Sequence, residues 1–214
     1  MNIKAILRNI KFKLKTPNIK EIQSYWKNPD DKGNKPQSYI DGPNKNLLSK
    51  NLIKEVQKLV REKEKRILEL GCNVGRNLNF LFNKGYLDLS GIEINKNAIE
   101  LMKKTYPPVY YNSDIKVDSI EKSIKNICNE RFELVFTVAV LMHLSHKSNF
   151  VFKEISRITK NFLITIEEEG IELVWSHYPR NYKEVFEKLG MKQIKEKKGL
   201  GANKTITLRV FRKD

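Results

Sequence analysis

The sequence predicts an α/β fold: a mostly parallel sheet of seven strands, helices on both faces, and an antiparallel C-terminal hairpin. Three observations carry this. Short apolar runs alternate with segments of helical period from residue 46 onward. The first run, "ILEL", passes into a turn with glycines at 71 and 75, where a ligand or a helix approaches the backbone. The last two strands follow one another without a helix, with Gly199 and Gly201 between them. Repeated β-α units require parallel strands with helical crossovers, and a closing pair without a crossover requires antiparallel pairing.

In chain order, Ile3, Ile6, Leu7, Ile10 and Leu14 fall at helical spacing with lysine and arginine opposite, a basic amphipathic helix that Thr16-Pro17 ends. The stretch "YWKNPDDKGNKPQSYIDGPN", residues 25–44, combines loop chemistry with Tyr25, Trp26 and Tyr39. It reads as an ordered aromatic flap. Residues 1–45 are thus an N-terminal helix and flap, and residues 46–214 the main domain. A helix over 46–62 has Leu48, Leu52, Val56 and Leu59 as its apolar stripe. Strands are expected at 66–70, at a short run ending near Glu93, at "VYY" 109–111, "ELVFTV" 133–138, "NFLITI" 161–166, 191–196 and 204–211. Helices are expected at 76–84, around Ala98, Leu101 and Met102, at 117–127, 147–159 and 182–190.

Composition narrows the partners. The chain has 214 residues and a net charge of +16, with six basic residues and no acid in 1–20, and eight basic and two acidic residues in 191–214. The middle is near neutral. Such a balance suits nucleic acid, anionic lipid or phosphorylated small molecules, or else is a lysine-rich solvated surface. No apolar run of membrane-spanning length is present, and the basic start lacks the apolar core and small-residue cleavage site of a secretory signal. The two cysteines, Cys72 and Cys128, form no C-x-x-C pair, which points to reducing cytoplasm and to no metal site.

In a doubly wound sheet, ligands bind at the carboxyl ends of the strands where the winding reverses. The 71–75 loop lies there. Glu93 closes the second strand, placed to accept hydrogen bonds from both hydroxyls of a ribose. The run Gly71-Cys-Asn-Val-Gly75-Arg fails the dinucleotide pattern G-x-G-x-x-G and lacks the lysine of a P-loop. A glutamate before G-x-x-x-G remains.

"ILELGCNVGRNL" followed by "LSGIEINKNAIE", "YNSDI" and "ELVFTVAVLMHLSH" resembles, in order and spacing, the first four motifs of class I S-adenosylmethionine-dependent methyltransferases of the small-molecule branch. The likeness covers residues 50–170, and the family's Rossmann-like seven-stranded sheet accommodates the hairpin tail. The resemblance implies S-adenosyl-L-methionine as cofactor. Glu69, Gly71, Asn73 and Gly75 would surround its methionine part, with Cys72 and Asn77 in the same cofactor-binding set. Glu93 would hold the ribose, with Ile94 against the adenine. Asp114 would meet the adenine amino group, Ile115 would lie beside the ring, and Thr137 and Val138 would line the floor by the sulfonium. The family often has glycine where Asn73 stands. Its amide can meet either end of an amino acid, or can simply tolerate a left-handed turn.

The acceptor is narrowed by absent signatures. [DNS]-P-P-[YF] does not follow the fourth strand, no Pro-Cys pair occurs, and Thr137 stands where 2′-O-ribose and catechol enzymes carry an acid. Near the fourth strand His143 is a candidate base, or packs over the cofactor. His177 is a second candidate. The segment 167–182 offers Glu168, Trp175, Tyr178 and Arg180 for a polar acceptor, or is a surface loop. The flap with Tyr25, Trp26 and Tyr39 would close over the cofactor, or is a structural cap.

The expectation is a cytoplasmic methyltransferase for a small polar acceptor: O-methylation of a sugar or surface-glycan precursor. An anionic membrane surface is a second candidate partner, through residues 1–15. RNA or protein methylation is an alternative, for which RNA binding would fall steeply with salt. A non-catalytic cofactor-binding subunit is another.

Overall fold

The computed structural model describes residues 17–30, 32–40, 46–169, 177–178, 180–201 and 204–213. The amphipathic segment 3–14 lies outside them.

Strands β1 (Ile67–Leu70), β2 (Leu89–Glu93), β3 (Ser113–Val117), β4 (Phe132–Val138), β5 (Thr159–Glu168), β6 (Met191–Leu200) and β7 (Ile206–Lys213) form one sheet in the order β3-β2-β1-β4-β5-β7-β6. β1 to β5 are parallel, and β7 runs antiparallel to both β5 and β6. The chain winds outward from β1 through β2 to β3, then restarts on the other side with β4. The carboxyl ends of β1 and β4 therefore flank the crevice where the winding reverses.

The sheet separates two apolar layers, as strand alternation requires. Ile67, Leu134 and Phe136 point into one, with Leu52 and Val56 of α2 (Leu47–Leu59), Leu78 of α3 (Arg76–Phe82) and Met102 of α4 (Lys96–Thr105). Leu68, Leu70 and Val135 point into the other, against Phe152 and Ile155 of α7 (Phe150–Ile158) and Tyr182 and Phe186 of α8 (Tyr182–Glu187). All four residues of β1 are buried, as expected of a strand covered on both faces. Before the sheet, α1 (Ile19–Lys27) is closed by a capping box between Asn18 and Glu21.

The third β-α unit differs from the expectation. "VYY" belongs to a short helix, α5 (Pro107–Tyr111), and the strand comes later, at Ser113–Val117. Two prolines in the first turn pre-set the helical φ, which outweighs the strand preference of Val and Tyr. The strand "SDIKV" is a half-exposed edge and shows no apolar run. The helix expected over 117–127 is one turn, α6 (Ile120–Ser123), continued by a 3-10 turn to Asn126; the Ser119 hydroxyl accepts from the Lys122 amide to start it. Among the described residues no helix is long and apolar enough to cross a membrane.

Candidate active site

A cavity of about 230 Å³ lies over the carboxyl ends of β1, β2 and β4. The turn after β1 forms its floor. Gly71 has φ +72°, and a Cβ there would sit 2.5 Å from Val140 Cγ2, so the turn presses directly on the exit of β4. Gly75, also at φ +72°, caps α3; its Cβ would stand 2.6 Å from Met102 Sδ. This second glycine thus admits α4 rather than a ligand, and Gly75 does not line the cavity. Asn73 is left-handed at φ +48°. Its backbone N–H donates to Glu93 Oε2 at 2.8 Å, and its side-chain Oδ1 is buried with no partner among the described residues. Cys72 is buried beneath the loop, its Sγ against Gly91.

Two acids close the floor. Glu93 accepts the Asn73 N–H on one oxygen and the Asn95 N–H, at 2.8 Å, on the other; burial raises its pKa. Glu69 accepts from Asn77 Nδ2 at 2.6 Å through Oε1, while Oε2 is buried and unpartnered among the described residues. Burial lifts the Glu69 carboxyl to about 8, the Asn77 bond and the Arg76 charge opposing the shift. Asn77 is itself fixed by the Ser49 hydroxyl of α2, which donates to its Oδ1 at 2.7 Å. Arg76 Nε is a third orphan on this floor. Buried polar atoms rarely lack partners. Two acceptors, Glu69 Oε2 and Asn73 Oδ1, together with one donor, Arg76 Nε, suit a ligand bearing an ammonium and a carboxylate. The amino-acid arm of S-adenosylmethionine fits that donor set.

The flap supplies part of the wall. Ile22 and Trp26 of α1, with Asn34 and Tyr39, line the cavity. Burial, with Glu93 nearby, raises the Tyr39 pKa. Tyr25 stands behind, edge-on to Trp26 and bonded through its hydroxyl to Asn34 Nδ2 at 2.7 Å.

Asp114 and Ile115 do not reach the cavity. They sit in the amino-terminal part of β3, paired with Ser90 and Gly91, and Asp114 is exposed. The expectation misplaced them because it put the strand four residues too early. At the true carboxyl end Ser119, Ile120 and Glu121 line the cavity. A readable signal existed: the alternating "IKV" before a serine that caps a helix. Ile94 lies in the wall at the end of β2.

On the β4 side Val138, Ala139 and Val140 line the cavity, but Thr137 does not. Thr137 is fully buried and its hydroxyl donates to Glu167 Oε1 at 2.7 Å. Glu167, at the end of β5, also accepts the Val140 N–H at 3.0 Å and the Met142 N–H at 3.3 Å. Sequence reasoning missed it, and burial raises it to about 7 against these bonds. His143 lines the cavity, its ring 4.5 Å from Trp26 and 5.0 Å from His177. Behind His177 stands Glu168, whose Oε2 is 3.7 Å from Nδ1. Burial lowers the His177 pKa and Glu168 partly opposes it. Tyr178 is fully buried, its N–H donating to Met142 O at 2.8 Å, and neither it nor Arg180 lines this cavity. Trp175 lies outside the described residues.

Comparisons with known proteins bear on the fold. A family described as "Methyltransferase domain" matches residues 68–162. No curated protein matches the sequence. Among solved structures, magnesium protoporphyrin IX methyltransferase from Synechocystis PCC 6803, with bound SAH, has a TM-score of 0.72 at 12% identity, covering 92% of this chain and 100% of that one. The PH0226 protein of Pyrococcus horikoshii OT3 scores 0.67 at 16% identity, covering 82% and 94%. A putative sarcosine dimethylglycine methyltransferase from Galdieria sulphuraria scores 0.67 at 14%, covering 78% and 85%. At such identities these structures carry the fold alone, while their names span unlike acceptors.

Proposed function

We propose that the chain is a class I S-adenosylmethionine-dependent methyltransferase that methylates a hydroxyl of a small polar acceptor, a sugar or surface-glycan precursor. Glu69, Asn73 and Arg76 hold the amino-acid arm of the cofactor. Glu93 takes the ribose, Ile94 the adenine face, and Ser119 to Glu121 the end of the base that Asp114 was expected to meet. When bound, the cofactor supplies a methyl group on a sulfonium sulfur. The residues on the other side of the cavity prepare the oxygen that receives it.

The observation that carries the hydroxyl assignment is an imidazole pair: His143, which lines the cavity, and His177, which does not line it but stands 5.0 Å from His143 with the Glu168 carboxylate behind it. A hydroxyl is a poor nucleophile until its proton has somewhere to go. Burial keeps His177 neutral near pH 7, so a ring nitrogen is free to accept that proton, and Glu168 stabilises the cation formed. On an acceptor oxygen that receives this methyl group, the hydroxyl proton would pass to the His177 imidazole. Trp26 packs on His143 and keeps water from the line of transfer.

The test is transfer of labelled methyl to nucleotide sugars and extracted glycans. His177→Asn is expected to lower kcat about a hundredfold, the usual contribution of a general base, with SAH affinity within about twofold of wild type. A variant that retains full kcat on the identified acceptor removes the base assignment; failure of every hydroxylated acceptor removes the substrate class.

A further inference from the structure

A second cleft, of about 630 Å³, opens between the end of β5, the start of α8 and the β6–β7 hairpin. Four cations line it, Arg180, Lys198, Lys204 and Arg209, against one carboxylate, Glu169. Two of the four are already neutralised. Arg209 is 4% exposed and ion-paired with Glu169 at 2.7 Å and with Glu196, and Lys198 pairs with Glu196 at 3.2 Å.

Arg180 is different. Its guanidinium donates to Tyr178 O at 3.1 Å, Leu141 O at 3.4 Å and Asn149 Oδ1 at 2.9 Å, all neutral acceptors. Its flat face lies over Phe152, 5.0 Å from the ring centre. Among the described residues no carboxylate bonds to it; Tyr182 is adjacent, and Glu167 acts only at longer range. Taking a guanidinium out of water without a counter-charge is costly, and burial accordingly lowers its pKa. Lys204, exposed at φ +57°, also has no ion pair among the described residues. A half-buried planar fork and a mobile-headed ammonium on one cleft are the usual complement of a phosphate.

The cleft adjoins the proposed acceptor site. Thr205, on its wall, donates its hydroxyl to Glu168 Oε1, the carboxylate behind His177. The carbonyls that Arg180 grips, Leu141 and Tyr178, flank the segments that carry His143 and His177. We propose that this cleft binds the phosphate of a phosphorylated or nucleotide-linked sugar whose hydroxyl reaches His177. The inference rests on the reading of the chain as a sugar O-methyltransferase and narrows its acceptor to phosphorylated species.

Inorganic pyrophosphate is the probe, titrated calorimetrically into the unliganded protein at constant ionic strength. Wild type is expected to bind it. Arg180→Gln should weaken binding at least tenfold and Lys204→Glu at least fivefold. Lys204→Glu changes an exposed side chain, so it reports even where Arg180→Gln disturbs the loops it ties. No binding by wild type, or equal binding by wild type and Lys204→Glu, overturns the cleft assignment. SAH titrated separately into the same proteins should bind all three alike. Absence of SAH binding by wild type would count against the methyltransferase reading itself, independently of the pyrophosphate result.

Discussion

Glu93 joins two backbone segments that the sequence separates. One carboxylate oxygen takes the N–H of Asn73 in the turn after β1, and the other takes the N–H of Asn95 at the start of α4. Each oxygen has a second lone pair, and Glu93 lines the cavity. The acid therefore shapes the left-handed turn at Asn73 and can also receive ribose hydroxyls. Glu93→Ala removes both functions, and it should weaken SAH binding by more than tenfold, since bonds to a charged group contribute about 1.5–3 kcal/mol each. Calorimetry decides; an affinity equal to wild type would sink the ribose assignment. That an acid should stand at this strand end was legible from position alone. That it would also staple the glycine turn was not, because the bond spans 20 residues of sequence.

Among the elements, the exit of β4 depends most on distant support. Residues 138–142 leave the sheet with Ala139 at φ +55°, a conformation alanine seldom adopts. Glu167 holds them by accepting two backbone N–H groups and the Thr137 hydroxyl. Glu167→Ala leaves three donors unpaired, two of them buried, and should cost about 3 kcal/mol in urea unfolding, each buried orphan contributing about 1–3 kcal/mol. Glu167→Gln retains one acceptor oxygen and should cost less than half as much. Equal stability of Glu167→Ala and wild type would show that the loop holds itself. In sequence Glu167 is merely the first of three glutamates after an apolar strand. What sets it apart from Glu168 is the β5 pleat, which turns 167 into the sheet's buried face and 168 toward His177. The same limit hid Ser49, whose bond to Asn77 crosses from α2 to α3.

At the scale of the whole molecule, three buried carboxyls among the described residues have raised pKa values: Glu69 to about 8, Glu167 to about 7, and Glu93. Glu69 and Glu167 keep their protons in the folded state at pH values where the unfolded chain has released them. Stability from these groups is present in full below about pH 4.5, the unfolded carboxyl range, and is lost as pH rises through 7 to 8. His177 and His146, lowered by burial, act in the opposite sense near pH 6, but both are more exposed than the acids. The melting temperature of the unliganded protein should therefore fall between pH 5.5 and about 8.5. Saturating SAH should flatten that slope, because its ammonium gives the Glu69 carboxylate a counter-charge. A melting temperature that climbs across this window, or a slope unchanged by SAH, would contradict the pairing.

By itself the sequence determined the alternation of strands and helices, the antiparallel tail, the glycine turn and the acids at the ends of β1 and β2. These are local facts: side-chain period, backbone freedom and polarity at a strand terminus are written within a few residues of one another. Tertiary structure alone decided that β3 begins at Ser113, that Ser119 to Glu121 and not Asp114 line the cavity, and that His143 meets both Trp26 and His177. It also decided that Arg180 turns to a separate cleft. The physical reason is distance along the chain: an edge strand shows no apolar period, and contacts closed by packing between remote segments leave no trace in the spacing of neighbours.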